Sequence, residues 1–175
     1  VDSLINAGKR PHWPLSMNFS DLRSILQYVP QFRGRTFVVA LDGGVIESTD
    51  FSNILLDLAV LRSLNVKVVL VHGAAAQIEA LGKKRGIILS NIDGTGVTDE
   101  LTLEVSMDAI SRLSNAVMQS LTTVKIKAAT ANAIHAHPAG IIKGVDHGFT
   151  GTVEKIDAGV LQSFLDQDIL PVVPP

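Results

Sequence analysis

Thr36-Phe37-Val38-Val39-Ala40-Leu41 runs straight into Asp42-Gly43-Gly44, and further on Val66-Lys67-Val68-Val69-Leu70-Val71 runs into His72-Gly73. Each is a mainly apolar, β-branched stretch of strand length stopped by a glycine-containing turn, the pattern of a strand buried in a parallel sheet. Between them, Ile54, Leu55, Leu58, Leu61 and Leu64 recur at helical spacing within Phe51 to Leu64, and Asn65 ends the run. Ala74 to Leu81 reads as a second helix. Strand, helix, strand, helix in this order is satisfied most simply by parallel strands joined by a right-handed crossover. The expected fold class is therefore α/β: an open, mostly parallel sheet with helices on both faces.

The same reading extends to both ends of the chain. Gly86 to Thr98 suggests a hairpin turning at Asp93-Gly94. A long helix is predicted from Asp99 to Leu121, burying Leu103, Met107, Ile110, Val117 and Leu121. Short strands are predicted at Val124 to Ala128 and Ala133 to His137. Ile141 to Val145 and Thr150 to Ile156 flank Asp146-His147-Gly148-Phe149 as a rim hairpin. A helix over Ala158 to Leu165 and a strand over Leu170 to Val173 complete the series. Upstream, residues 1–19 read as a lead-in. Ser20 is placed to cap a short helix carrying Leu22, Ile25, Leu26 and Val29 on one face, with Pro30 stopping it.

Composition narrows the functional classes. In 175 residues, 15 basic against 17 acidic side chains leave a net charge of −2, without the basic face that nucleic-acid binding demands. With 46% apolar and only 18% charged residues, the chain is not held open by charge. It has no cysteine, which excludes a disulfide framework, a thiolate zinc site and a cysteine nucleophile. No apolar run approaches the roughly 18–20 residues that cross a bilayer. The expectation is a cytoplasmic protein that engages neither membrane nor nucleic acid. Opening on Val1 and closing on Pro174-Pro175 after an apolar run, the chain is expected to be part of a longer protein.

Chemistry is expected where the two strands end. Beyond the carboxyl ends of parallel strands, helix N-termini present free N–H groups and glycines let a ligand approach the backbone. Gly43, Gly44, His72, Gly73 and Ala74 are candidate ligand-binding residues on that ground. Neither turn carries Lys or Arg, and Asp42 adds a negative charge. At about 5 Å and an effective dielectric of 20, a charge pair is worth about 3 kcal/mol, so an unpaired carboxylate opposes a polyphosphate. Thr98 and Asp99 precede the long helix as a cap, with ligand binding as their second role. His135 and His137, two apart on a strand, face one way but have no third metal ligand nearby, and no metal site is expected. No Gly-x-Ser-x-Gly elbow is present for a hydrolase, and no catalytic residue is assigned.

The segments Val38 to Gly44, Val69 to Ile78 and Val97 to Leu103, in this order, resemble the amino-acid kinase family. Gly144 to Val153, Ile156-Asp157 and Phe51 to Leu64 are similar in particular to the kinase-like domain of N-acetylglutamate synthases, relatives of N-acetylglutamate kinase. The resemblance runs from about Arg33 to Pro174. It implies an N-terminal arm and short helix over residues 1–34 and the substrate-side part of a kinase-like domain over 35–175. Kinases of this family carry lysine where Ala40 stands and arginine where Gly96 stands, and their glycine-rich stretch appears here as Gly73 followed by Ala74, Ala75 and Ala76, a loss of two glycines. Those departures imply lost phosphoryl transfer and a regulatory, oligomerising role. Arginine is then the implied effector, with glutamate or N-acetylglutamate as further small-molecule partners and a homo-oligomer as the assembly. No cofactor is implied for this stretch. Acetyl-CoA is implied for a full-length synthase, and ATP with magnesium only for the alternative of an active kinase. A non-catalytic binding or scaffold domain is the third possibility.

Overall fold

The computed structural model describes Gln27, residues 29–90 and residues 96–175. The chain divides into two units, Val1–Arg33 and Gly34–Pro175. In the first, the described helix is α1 (Val29–Phe32). Pro30 is its second residue, where the first turn has no need of the missing N–H. The rest of the predicted Ser20 helix, like the Asp93-Gly94 turn, lies outside the described residues.

The second unit is built on a sheet of four parallel strands in the order β1 (Thr36–Leu41), β2 (Lys67–His72), β8 (Leu170–Val173), β3 (Ala128–Thr130). β1 and β2 are in register from Thr36 opposite Lys67 to Leu41 opposite His72. Alternation along β2 distributes its side chains between the two layers. Val68 and Leu70 join a core with Phe51, Leu55 and Leu58 of α3 (Phe51–Ser63) and Leu113, Val117 and Leu121 of α5 (Glu100–Thr123). Val69 faces the other way, into a smaller cluster with Leu161, Phe164 and Leu165 of α6 (Ala158–Asp166). Helices thus cover both faces, and the α/β class holds.

Several expectations need correction. Among the described residues β1 pairs on one side alone, with β2, and Val38 is 67% exposed rather than buried. An apolar run reports strand propensity but not the position of the strand in the sheet. In α5 the buried stripe is Thr102, Val105, Ala109, Leu113, Val117 and Leu121. Met107 is 60% exposed, and Leu103 and Ile110 are only half-buried, because the core-facing stripe runs beside the one predicted from the largest side chains. Val124 to Lys127 is not strand: Val124 caps α5 and Lys125 takes φ 60°, so pairing with β8 starts at Ala128. The described residues between Gly86 and Val97 form no strand. A short helix, α2 (Gly43–Ile46), was not foreseen, and α4 (Ala75–Arg85) runs one turn past Leu81.

After β3 the chain forms a ribbon in which β4 (Ile134–Pro138) pairs antiparallel with β7 (Gly151–Ile156), Glu154 being the extra residue of a bulge. At its tip, β5 (Ile141–Ile142) and β6 (Val145–Asp146) pair around Lys143-Gly144, both at positive φ. The tight turn is therefore Lys143-Gly144 and not Asp146 to Phe149, as two residues of positive φ match the twist of a two-residue hairpin.

Candidate functional site

The two turns at the carboxyl ends of β1 and β2 are tied to each other. Asp42 caps α2, its Oδ1 accepting from the Gly44 N–H at 2.8 Å. The Gly73 N–H donates to the Leu41 carbonyl at 2.9 Å, and Gln77 Nε2 donates to the Gly43 carbonyl at 2.9 Å. Gln77 Oε1 is buried with no hydrogen-bond partner and occupies the place a Gly43 Cβ would take. Gly43 is therefore a glycine for the fold. At Gly73 an added Cβ would come no closer than 4.0 Å to its nearest neighbours, Gly43 N and Leu41 O, so packing there does not require glycine.

His72, 2% exposed, sits beneath the second turn. Its Nδ1 lies 3.2 Å from the Gly73 carbonyl, which can only accept, so Nδ1 carries the proton. Nε2 then accepts from Ser114 Oγ at 3.2 Å. Burial lowers the imidazole pKa, opposed by the Gly73 hydrogen bond. The unfolded chain takes up a proton near the ordinary imidazole value of about 6.5, whereas the folded chain resists it. Stability is full above that value, falls as pH drops through it, and levels off below the depressed folded value. Denaturation midpoints measured between about pH 8 and pH 5 should fall on the acid side, with a shallower slope in His72→Gln.

The third wall comes from the start of α5 and the ribbon. Asp99 caps α5, its Oδ1 accepting from the Thr102 N–H at 2.7 Å, and hydrogen bonds from Thr102 hold its carboxyl below the usual range. Thr150 Oγ1 donates to the Gly96 carbonyl at 2.7 Å, which leaves the Thr98 hydroxyl to donate to Thr150 Oγ1 at 2.9 Å. Gly148 bridges to Thr98 at φ 57°, and a Cβ there would lie 2.5 Å from the Thr98 carbonyl oxygen.

Between these walls lies a cleft of about 480 Å³. Gly73, Ala74 and Thr98 line it, together with Thr102, Ser106 and Thr150, the apolar Ile78, Ile110 and Phe149, and Asp42. Gly43, Gly44, His72 and Asp99 stand behind the lining and hold it. The N-terminal N–H groups of α4 open here, as its N-cap Ala74 has no side chain to bond them. Asp42 is the only ionisable side chain among the described lining residues. Lys67 starts β2 at the far end of the strand, its Nζ 2.8 Å from Asp166 Oδ1. Sequence reasoning did not assign Thr102 and Ser106 to the site, although their spacing of four puts both on one helix face. Phe149 and Thr150 gave no local signal, as only the ribbon brings them to Thr98. His135 and His137 stand away on the exposed ribbon, and no cluster of three or more potential metal ligands occurs among the described residues.

The comparisons agree with this architecture. The chain is 35% identical over 163 residues to an amino-acid acetyltransferase of Pseudomonas fluorescens, covering 88% of this chain and 38% of that protein. It is likewise 35% identical over 158 residues to one from Haemophilus ducreyi, covering 87% and 36%. The chain thus spans little more than a third of these relatives. Among solved structures, N-acetylglutamate synthase of Neisseria gonorrhoeae complexed with coenzyme A and N-acetyl-glutamate superposes with a TM-score of 0.79 at 27% identity, over 90% of this chain and 37% of that one. Carbamate kinase of Giardia lamblia bound to AMP-PNP, at 14% identity and a TM-score of 0.54 over 81% and 55%, shares the fold alone. The model of the amino acid kinase family matches residues 35–175, the stretch that holds the sheet, both glycine turns and the cleft, and the chain belongs to that family.

Proposed function

We propose that this chain is the N-terminal part of the kinase-like domain of an N-acetylglutamate synthase-like N-acetyltransferase, serving arginine biosynthesis in the cytoplasm. Residues 1–34 form its arm, which joins subunits of a homo-oligomer, and residues 35–175 its substrate-side half. The domain regulates and assembles the enzyme and no longer transfers phosphate. Acetyl transfer from acetyl-CoA to glutamate belongs to the whole protein, and arginine is the effector. One observation carries this reading: among the described residues that line the cleft, Asp42 is the only one with a charged side chain. Phosphoryl transfer relies on cations around the moving group, whereas a lone carboxylate repels that anionic group. Gly73, Ala74 and Thr98 are the ligand contacts in this account, with Gly43, Gly44, His72 and Asp99 setting their positions.

The test uses the full-length protein. Incubated with acetyl-CoA and glutamate it should form N-acetylglutamate, and added arginine should change the rate. Failure to form any acetylated product would overturn the proposal.

A further inference from the structure

A second hollow lies between α4, α5 and the α2–α3 corner. Its volume is about 330 Å³, within the range of small-molecule pockets. The floor is apolar, from Ile46, Phe51 and Leu113. It exists because Ala80, Ala109 and Ala116 end at Cβ where larger side chains would close the gap. Lys84 and Arg112, on facing helices, border it and make no ion pair among the described residues. Their neighbour Arg85 differs, being paired with Glu104 and Asp108. Glu47, on the opposite wall, is the one carboxylate among the described lining residues, so these give the border a net positive charge.

An apolar floor beneath two unpaired cations matches a ligand with a hydrocarbon body and an anionic head. We propose that this hollow binds a short-chain carboxylate, its tail over Phe51 and Leu113 and its carboxylate between Lys84 and Arg112. The site is connected to the cleft through Gln77, which lines the hollow and holds the Gly43 carbonyl of the first turn. A ligand pressing on Gln77 would move that turn, and with it Asp42. This inference does not depend on the proposed function, because it concerns a different cavity and holds for any member of the fold with these residues.

Hexanoate is the probe and hexylamine its charge-reversed control, both titrated into the ¹⁵N-labelled chain. Hexanoate should saturate at millimolar concentration, shifting amides of α4 and α5 and those of Gly43 and Gly44, whereas hexylamine should not. Arg112→Ala should weaken hexanoate about tenfold, and Ala116→Phe should abolish binding by filling the space. Ala116 is exposed on α5, so that variant should stay folded; should it not, Lys84→Ala and Arg112→Ala carry the same comparison. Equal binding of hexylamine, no binding of hexanoate, or unmoved Gly43 and Gly44 resonances would each overturn the proposal. So would self-association lost in Ala116→Phe, because the hollow would then be covered by a second copy of the chain.

Discussion

Leu70→Ala should lower the stability of the Gly34–Pro175 unit by about 2–5 kcal/mol. Leu70 is fully buried at the centre of β2, between β1 and β8, and belongs to the main core with side chains from α3 and α5. Truncation there removes transfer energy and leaves a cavity among elements anchored on both sides. A loss of that size is a large share of the roughly 5–15 kcal/mol typical of a domain. In urea it should appear as a lower midpoint at unchanged slope. Ile88→Ala is the internal control, because Ile88 is 91% exposed and should change stability by no more than about 0.5 kcal/mol. Equal midpoints for the two variants would contradict the assigned core.

The second large effect separates the two turn glycines. Gly43→Ala places a methyl group where Gln77 Oε1 stands and 3.0 Å from the Gly73 carbonyl oxygen. The Gln77 side chain can yield but the carbonyl is backbone, so a cost of about 1–3 kcal/mol is expected from overpacking. Gly73→Ala meets only ordinary contacts at 4.0 Å, and its cost should stay below about 1 kcal/mol. The extra methyl would instead intrude on the cleft that Gly73 lines. Thermal unfolding of the two variants side by side checks the ordering. A Gly73→Ala protein less stable than Gly43→Ala would show that the roles of the glycines are reversed.

These glycines show how far the amino-acid order reveals the site. Both turns could be found from the strands they stop, because the Thr36–Leu41 run falls on the observed β1 and the β2 run is displaced by only one residue. That Gly43 answers to Gln77 and Gly73 to open space is a matter of three-dimensional proximity, invisible in either turn. The long helix was legible in extent but not in orientation. Leucine, isoleucine and methionine suggested one stripe, whereas smaller side chains at Thr102, Val105 and Ala109 face the core. The far wall of the cleft was least accessible. Thr150 reaches Thr98 across 52 residues of sequence, through a ribbon whose turn depends on Lys143, a residue type with no particular preference for positive φ. Asp42 carried the most information, as its charge and the missing cations were apparent before any geometry.

With Asp42 the only charged side chain among the described lining residues, the cleft should not transfer phosphate. Full-length protein incubated with magnesium, ATP and N-acetylglutamate, then treated with hydroxylamine to trap acyl phosphate, tests it most directly. The account predicts no hydroxamate above the enzyme-free background. Steady, ATP-dependent accumulation of hydroxamate, lost in the Gly73→Ala protein, would contradict it and establish this domain as a working kinase.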